Sequence, residues 1–264
     1  MDKQAETTIR LDLDTQQLAS QYDIMSDYQY GVGVILANML DISPSERVLD
    51  IGAGTGRLTS YVANIVGHEG RVIGIDPLKD RINVACKKTQ PNLSFLVGDA
   101  HDLSSFDSGA FDVVFFNCAR ALRECFRVLK PGGRLGISTP SKDHPFYPFE
   151  VKKSVLSTEG YRQYSETTNG EIKMFNESDL GGLLNKSGFT SKTISSHPGT
   201  ILSPDSESLL NLLHASSFGN FLGHLPEELQ NTASEDIQET FERLRTDDGI
   251  PIEVISLVAL AVKD

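Results

Sequence analysis

Hydrophobic and polar positions along the first half of the chain fall into short runs of two alternating kinds. Five runs rich in Val, Ile, Leu and Phe read as strands: Arg47–Ile51, Arg71–Ile75, Leu93–Val97, Phe111–Phe116 and Arg134–Thr139. Their near-continuous apolar character predicts a sheet covered on both faces. Between them, Leu58–Val66, Arg81–Lys88 and Ala121–Leu129 carry helical spacing. From Glu46 to Thr139 the pattern is therefore that of an α/β domain with a parallel sheet. Lys130-Pro131-Gly132-Gly133 stops the third helix and turns the chain, with proline at the second turn position and glycine at the third.

The second half is less regular. Pro140, Pro145 and Pro148, mixed with His144, Phe146, Tyr147 and Phe149, break any long element and mark an insertion after the fifth strand. A helix is predicted over Glu177–Ser187, with Asn176 as N-cap and Gly188 at its end. Gly181 and Gly182 each cost that helix about 1 kcal/mol relative to Ala, which implies a close backbone approach there. Ser191–Ile201 reads as a sixth strand, and Ser206–His214 and Glu227–Arg245 read as helices. The acidic face of Glu227–Glu242 is that of a solvated helix. Asp248-Gly249 turns into Ile250–Val262, a last strand placed antiparallel beside the sixth.

Composition narrows the class. The chain has 264 residues and 24 Lys+Arg against 36 Asp+Glu, a net charge of −12. That length suits one large domain with insertions, and the acidic balance argues against nucleic acid as a partner. Cys86, Cys118 and Cys125 stand at unrelated spacings, giving neither a disulfide framework nor a metal cluster, and they suit a reducing compartment. Met1–Leu18 has no apolar run, and no later stretch approaches the roughly 18 apolar residues of a spanning helix. A cytoplasmic protein without a membrane partner is expected. Oligomeric state leaves no mark in the pattern.

The candidate chemistry sits at the ends of the strands. Val48-Leu49-Asp50-Ile51-Gly52-Ala53-Gly54-Thr55-Gly56-Arg57-Leu58 takes a buried strand through three alternating glycines into a helix. Such a loop lets a ligand lie against the backbone at the carboxyl edge of the sheet. The spacing is G-x-G-x-G rather than the dinucleotide G-x-G-x-x-G. Asp50 also puts a carboxylate where a pyrophosphate would be repelled and an amino group welcomed. Asp76 ends the second strand, where a carboxylate can accept from both ribose hydroxyls. Gly98-Asp99-Ala100 ends the third strand and Asn117 the fourth. Each strand thus brings a small or polar residue to one edge, which makes a ligand crevice.

With these motifs in order, the chain resembles class I S-adenosylmethionine-dependent methyltransferases, close to the small-molecule subgroup with ubiquinone-type and malonyl-carrier enzymes. The resemblance covers roughly Tyr22 to Asp264. It implies a Rossmann-like doubly wound sheet of seven strands, mostly parallel with an antiparallel last strand, plus helical cap insertions. The segments would be an N-terminal helical lid (1–45), a cofactor-binding core (46–139), a cap insertion (140–175) and a C-terminal part (176–264) with a helical insertion at 203–249.

Carried over residue by residue, the resemblance implies that Asp50, Gly52, Ala53, Gly54 and Gly56 hold the methionine part of S-adenosylmethionine. Asp76 would take the ribose hydroxyls, with Pro77 and Leu78 at the adenine. Asp99 would accept from the adenine amino group between Gly98 and Ala100, and Asn117 and Cys118 would line the floor near the sulfonium. In such enzymes the segment before the first strand folds over the cofactor, which brings in Tyr22, with Tyr28 and Tyr30 nearby.

One departure concerns the fourth strand, which these enzymes usually follow with a loop of about ten residues. Here Cys118, Ala119 and Arg120 alone separate Asn117 from the helix. Either the site is shortened and more open, or a segment is absent from the chain; the register in which the helix resumes favours the second. The expected function is methyl transfer to a small organic acceptor. His144 or His197 would serve as general base if the acceptor is a hydroxyl or an activated carbon. Phe146, Tyr147, Phe149, Phe218 and Phe221 suggest an apolar or aromatic-bearing substrate. A protein that binds the cofactor without transferring methyl, as a rearrangement catalyst or silent partner, is the alternative. A nicotinamide oxidoreductase is disfavoured by the glycine spacing and Asp50.

Overall fold

A computed structural model describes residues 10–116, 122–164 and 174–264. The chain divides into two compact units, one of Asp27–His144, Met174–Pro198 and Ile255–Asp264, the other of Met1–Ser26, Pro145–Lys173 and Gly199–Val254. Seven strands, β1 (Arg47–Ile51), β2 (Arg71–Asp76), β3 (Leu93–Val97), β4 (Phe111–Phe116), β5 (Leu129–Pro140), β6 (Ser191–Ser203) and β7 (Ile250–Val262), form one sheet. Its order is β3-β2-β1-β4-β5-β7-β6. The first five pair in parallel, and β7 runs antiparallel to β5 with Arg134 opposite Val262 and Pro140 opposite Ser256. This is the doubly wound, mostly parallel sheet that the family resemblance implies. The strand order reverses between β1 and β4, and such a switch point opens a crevice beyond the carboxyl ends of the strands.

Within the sheet-bearing unit, successive residues of each strand go to opposite faces. Val48, Val113, Phe115 and Val258 pack with Leu36, Ala37 and Leu40 of α2 (Asp27–Met39) and with Val62 and Val66 of α3 (Arg57–Val66). Leu49, Ile51, Val114, Phe116, Leu135 and Ile137 pack with Cys125 and Val128 of α5 (Leu122–Val128) and Leu180 and Leu184 of α7 (Glu177–Lys186). A second crossover helix, α4 (Lys79–Ala85), follows β2. Each burial of an aliphatic side chain contributes about 1.5–3 kcal/mol, so the double covering explains why the strands read as continuous apolar runs. The close fit of α2 depends on Gly136, where a Cβ would stand 2.6 Å from Leu40 Cδ1.

Three local expectations are corrected. β5 begins at Leu129 rather than Arg134, because the turn at Lys130–Gly133 is folded into the strand as an irregularity, with Phe111 opposite Leu129 and Val113 opposite Arg134. Gly132 has φ +75°, as the third position of that turn requires. The prolines after β5 do not prevent a helix, since α6 (Tyr147–Leu156) carries Pro148 in its first turn, where the missing N–H has no helical partner to lose. No close backbone approach explains Gly181 and Gly182. A Cβ at Gly181 would meet only side-chain ends at 3.6 Å, and one at Gly182 would meet nothing within 4 Å.

The other unit is helical. It contains α1 (Gln16–Met25), α6, α8 (Ser206–Ser216) and α9 (Glu227–Glu242), together with the adjoining ends of β6 and β7. Thr15 caps α1 by accepting from Leu18 N–H, and Asp205 caps α8 by accepting from Ser208 N–H. Tyr161 ties α6's trailing loop to α9, its hydroxyl donating to Asp236 Oδ2 at 2.8 Å. Among the described residues no helix is long and apolar enough to cross a membrane, and no group of His, Cys, Asp and Glu is arranged to hold a metal ion.

Candidate functional site

The glycine loop leaves β1 and is anchored to β2 by backbone. Gly52 and Ala53 N–H both donate to the Ile75 carbonyl, at 2.8 and 2.9 Å, and Gly56 N–H donates back to the Ala53 carbonyl at 2.8 Å. Gly52, Gly54 and Gly56 all have positive φ (76°, 54° and 78°), which L side chains rarely adopt. Their surroundings differ. A Cβ on Gly52 would meet nothing within 4 Å, so this glycine borders open space at the sheet edge. A Cβ on Gly56 would stand 2.5 Å from Phe95 Cζ and 3.0 Å from Ala85 Cβ. Its smallness lets α3 settle against β3.

Asp76, at the end of β2, is buried. Its Oδ2 accepts from Gly54 N–H at 2.9 Å and its Oδ1 from Leu78 N–H at 2.9 Å. The carboxylate is thereby clamped between the glycine loop and the turn after β2. Pro77 is exposed and Leu78 buried on the same turn.

Asp50 lies in β1 opposite Gly74 and Phe115. It is 4% exposed, and Thr59 of α3 donates its hydroxyl to Oδ2 at 2.7 Å. Burial pushes its carboxyl up to about 7; the Thr59 hydrogen bond opposes the rise and the neighbouring Asp76 charge adds to it. Near neutral pH this group stands between its two protonation states. Thr59 is the partner that sequence reading missed. The one available signal was a hydroxyl residue in the first turn of an otherwise apolar helix face.

Farther along the edge, Gly98 N–H donates to the Asp76 carbonyl at 3.1 Å. Asp99 is exposed, with Ala100 half-buried beside it. Asp99 Oδ1 accepts from His101 N–H at 2.9 Å and lies 2.8 Å from the ring Nδ1. These two interactions hold the carboxyl below its usual range, the backbone bond being the larger cause. Asn117 and Cys118 lie outside the described residues, as does the shortened connection they begin.

The tyrosines and histidines separate. Tyr22 is half-buried on α1 in the helical unit, whereas Tyr28 and Tyr30 are on α2 in the sheet-bearing unit. Tyr28 and Ser256 hydroxyls lie 3.1 Å apart. The Arg57 guanidinium stands 4.7 Å over the Tyr30 ring and donates to Asp27 at 2.7 Å, tying the start of α2 to the start of α3. His144 is exposed on the bend after β5. His197 is on β6, with its Nε2 2.9 Å from the Ser195 hydroxyl.

A glycine loop after β1, an acid closing β2 and a crevice at the switch point match a shared pattern. The family model described as a methyltransferase domain matches residues 42–188. The chain belongs to this methyltransferase family. It is 34% identical over 205 residues to the ubiquinone/menaquinone biosynthesis C-methyltransferase UbiE of Vibrio campbellii, covering 65% of this chain and 77% of that protein. It is also 34% identical over 139 residues to the arsenite methyltransferase of Aquipseudomonas alcaligenes, covering 46% of this chain and 39% of that one.

In fold it resembles the phosphoethanolamine N-methyltransferase 2 of Haemonchus contortus in complex with S-adenosyl-L-methionine, with TM-score 0.58 and 17% identity, covering 94% of this chain and 57% of that one. The protein is thus a methyltransferase that shares its fold with a structure holding S-adenosyl-L-methionine. Its own residues fit that cofactor. Gly52 leaves room against the backbone, and two buried carboxylates on adjacent strands suit a ligand rich in hydroxyl and amino donors.

Proposed function

We propose that the enzyme carries a methyl group from S-adenosylmethionine to an oxygen, carbon or nitrogen of a small acceptor in specialised or cofactor metabolism. The observation that carries the proposal is the Asp76 carboxylate, held between Gly54 and Leu78 N–H beside the open space at Gly52. In this reading Asp76 accepts from the ribose hydroxyls, and Pro77 and Leu78 flank the adenine. Asp99 takes the adenine amino group, with Gly98 and Ala100 beside it. Gly52, Ala53 and Gly54 accommodate the methionine part, and Gly56 acts mainly by letting α3 approach. Asp50 accepts from the amino group; an ammonium nearby favours its ionised form and offsets the burial that raises its carboxyl.

The cofactor supplies a methyl already made electrophilic by its sulfonium. The chain's task is then to bind, to align the acceptor in line with the S–CH₃ bond at about 3–3.5 Å, and to exclude water. A carbon acceptor is supported by the C-methyltransferase named above, of whose length the match covers 77%. His144, exposed, and His197, paired with Ser195, remain the candidates for a general base. Action in the cytoplasm on a free small molecule, without nucleic acid, agrees with the charge of −12. Incubation with methyl-labelled S-adenosylmethionine and a panel of small acceptors tests the proposal. Label is expected in the small-molecule fraction, and binding of the cofactor with no label transferred to any acceptor would favour the non-transferring alternative.

A further inference from the structure

The loop after β3 carries a histidine to which the sequence pattern drew no attention. Asp99 stands one residue beyond Gly98, whose N–H is bonded to the Asp76 carbonyl, so the two carboxylates share the sheet edge on neighbouring strands. They are held differently. Asp76 is buried and takes a backbone N–H on each oxygen. The Asp99 side chain is 64% exposed, and both of its donors converge on one oxygen. Oδ1 accepts from His101 N–H at 2.9 Å and lies 2.8 Å from Nδ1 of the His101 ring. A carboxylate can only accept, so the ring proton that faces it sits on Nδ1. Asp99 Oδ2 has no partner among the described residues, which leaves it for a ligand.

The loop around this pair is braced. Asp102 N–H donates to the Asp99 carbonyl at 3.1 Å, Asp102 Oδ1 accepts from Ser104 N–H at 3.0 Å, and Leu103 between them is fully buried. Arg127 of α5 donates to the Leu103 and Phe106 carbonyls at 2.7 and 2.9 Å. On such a base the backbone bond fixes where Oδ1 sits, yet it leaves the carboxyl group free to turn about that point. The ring reaches the same oxygen as a second donor, and the pair of bonds sets the plane of the carboxylate and the direction of Oδ2. An exposed side chain ordered before the ligand arrives loses less freedom on binding. The backbone bond, with the ring bond second, also holds the carboxyl below its usual range, so near pH 7 Asp99 is an acceptor alone. A carboxylate oxygen aimed in this way welcomes an amino N–H and repels the lone pairs of an oxo group.

We propose that His101 is a positioning residue whose ring holds Asp99 so that Oδ2 faces the 6-amino group of the adenine, and that it thereby sets the preference for a 6-amino over a 6-oxo purine nucleoside. The proposal rests on the reading of Asp99 as the adenine acceptor.

The test is a calorimetric titration of the full chain with S-adenosylhomocysteine and with S-inosylhomocysteine, its 6-oxo counterpart. The unaltered protein is expected to favour the 6-amino ligand by about tenfold or more, since the 6-oxo group turns lone pairs toward Asp99. His101→Ala keeps the backbone bond and removes the ring. It is expected to weaken S-adenosylhomocysteine about fivefold, the scale of a partly exposed hydrogen bond to a charged group, and to leave S-inosylhomocysteine unchanged. His101→Asn, whose amide sets an N–H in the place of Nδ1, is expected to restore the preference. Unchanged S-adenosylhomocysteine affinity in His101→Ala, or an equal loss for both ligands, would overturn the proposal; an equal loss would mean that the ring merely supports the loop. Should the variants fail to fold, the ¹⁵N signals of the His101 ring in the unaltered protein decide: a proton on Nδ1 is expected, and one on Nε2 alone would sink the idea. Equal affinity of the unaltered protein for the two ligands would remove Asp99 from the adenine and this inference with it, whereas a preference that persists in His101→Ala removes only the part given to His101.

Discussion

Asp50 is subject to two opposing demands, and replacing it with asparagine separates them. The native carboxyl is pushed up to about 7 by burial, from an ordinary value of 3.8. A difference of about three pH units, at about 1.4 kcal/mol each, makes the buried charge cost about 4 kcal/mol of folding stability. The native state holds this proton more tightly than the unfolded chain. Its contribution is therefore complete below pH 3.8, is lost as pH rises toward about 7, and changes little above that. Asp50→Asn keeps the size and an oxygen for the Thr59 hydroxyl, but nothing titrates.

Urea unfolding of both proteins at pH 5 and pH 8 isolates the term, because every other titrating group is common to both. On the linkage relation, the unaltered protein should lose about 2–3 kcal/mol more than the variant between these two pH values. The variant should be the more stable of the two at pH 8 and the poorer binder of S-adenosylhomocysteine. Equal pH dependence in the two proteins would refute the reasoning, since it would mean that Asp50 is hydrated in the native state.

Asp76→Ala removes the acceptor clamped by Gly54 and Leu78 and should weaken S-adenosylhomocysteine binding by about 1–3 kcal/mol; calorimetry showing unchanged affinity would remove Asp76 from the ribose. Gly182→Ala places a methyl in open space within α7 and should raise stability by about 0.5–1 kcal/mol, so a lower thermal midpoint would reveal a contact not accounted for. Tyr161→Phe deletes the hydroxyl bonded to Asp236 and should cost about 1–2 kcal/mol in urea unfolding, below the full value for a charged partner because Asp236 keeps some solvent. No loss at all would show that the pair contributes nothing.

Much of the sheet was legible because its strands are apolar runs bounded by turn residues. Arg47–Ile51, Leu93–Val97, Phe111–Phe116 and Ile250–Val262 begin and end where the pattern places them. The glycine loop and the acid after β2 were equally visible, since both are local signals at the ends of strands. What failed depended on neighbours distant in sequence. Pro148 looked like a breaker until its position in the first turn of α6 was known. The Thr59–Asp50 bond spans nine residues and exists only because α3 lies over that face of β1. Residues Met1–Ser26, Pro145–Lys173 and Gly199–Val254 share no local pattern that would announce their common unit.

Phe95 gives the glycine loop a history as well as a shape. Its ring lies where a Cβ at Gly56 or at Gly74 would have to go, 2.5 and 2.8 Å away, so three positions on separate elements share one small volume. Among descendants of such a chain, a smaller residue at 95 would release Gly74 to drift toward alanine wherever Ala53 also yields. Gly56 would stay, since its φ of +78° binds it independently of the ring. Covariation between positions 74 and 95 would then record the packing of β2 against β3, whereas the constancy of Gly52 and Gly56 would record the positive φ that both hold.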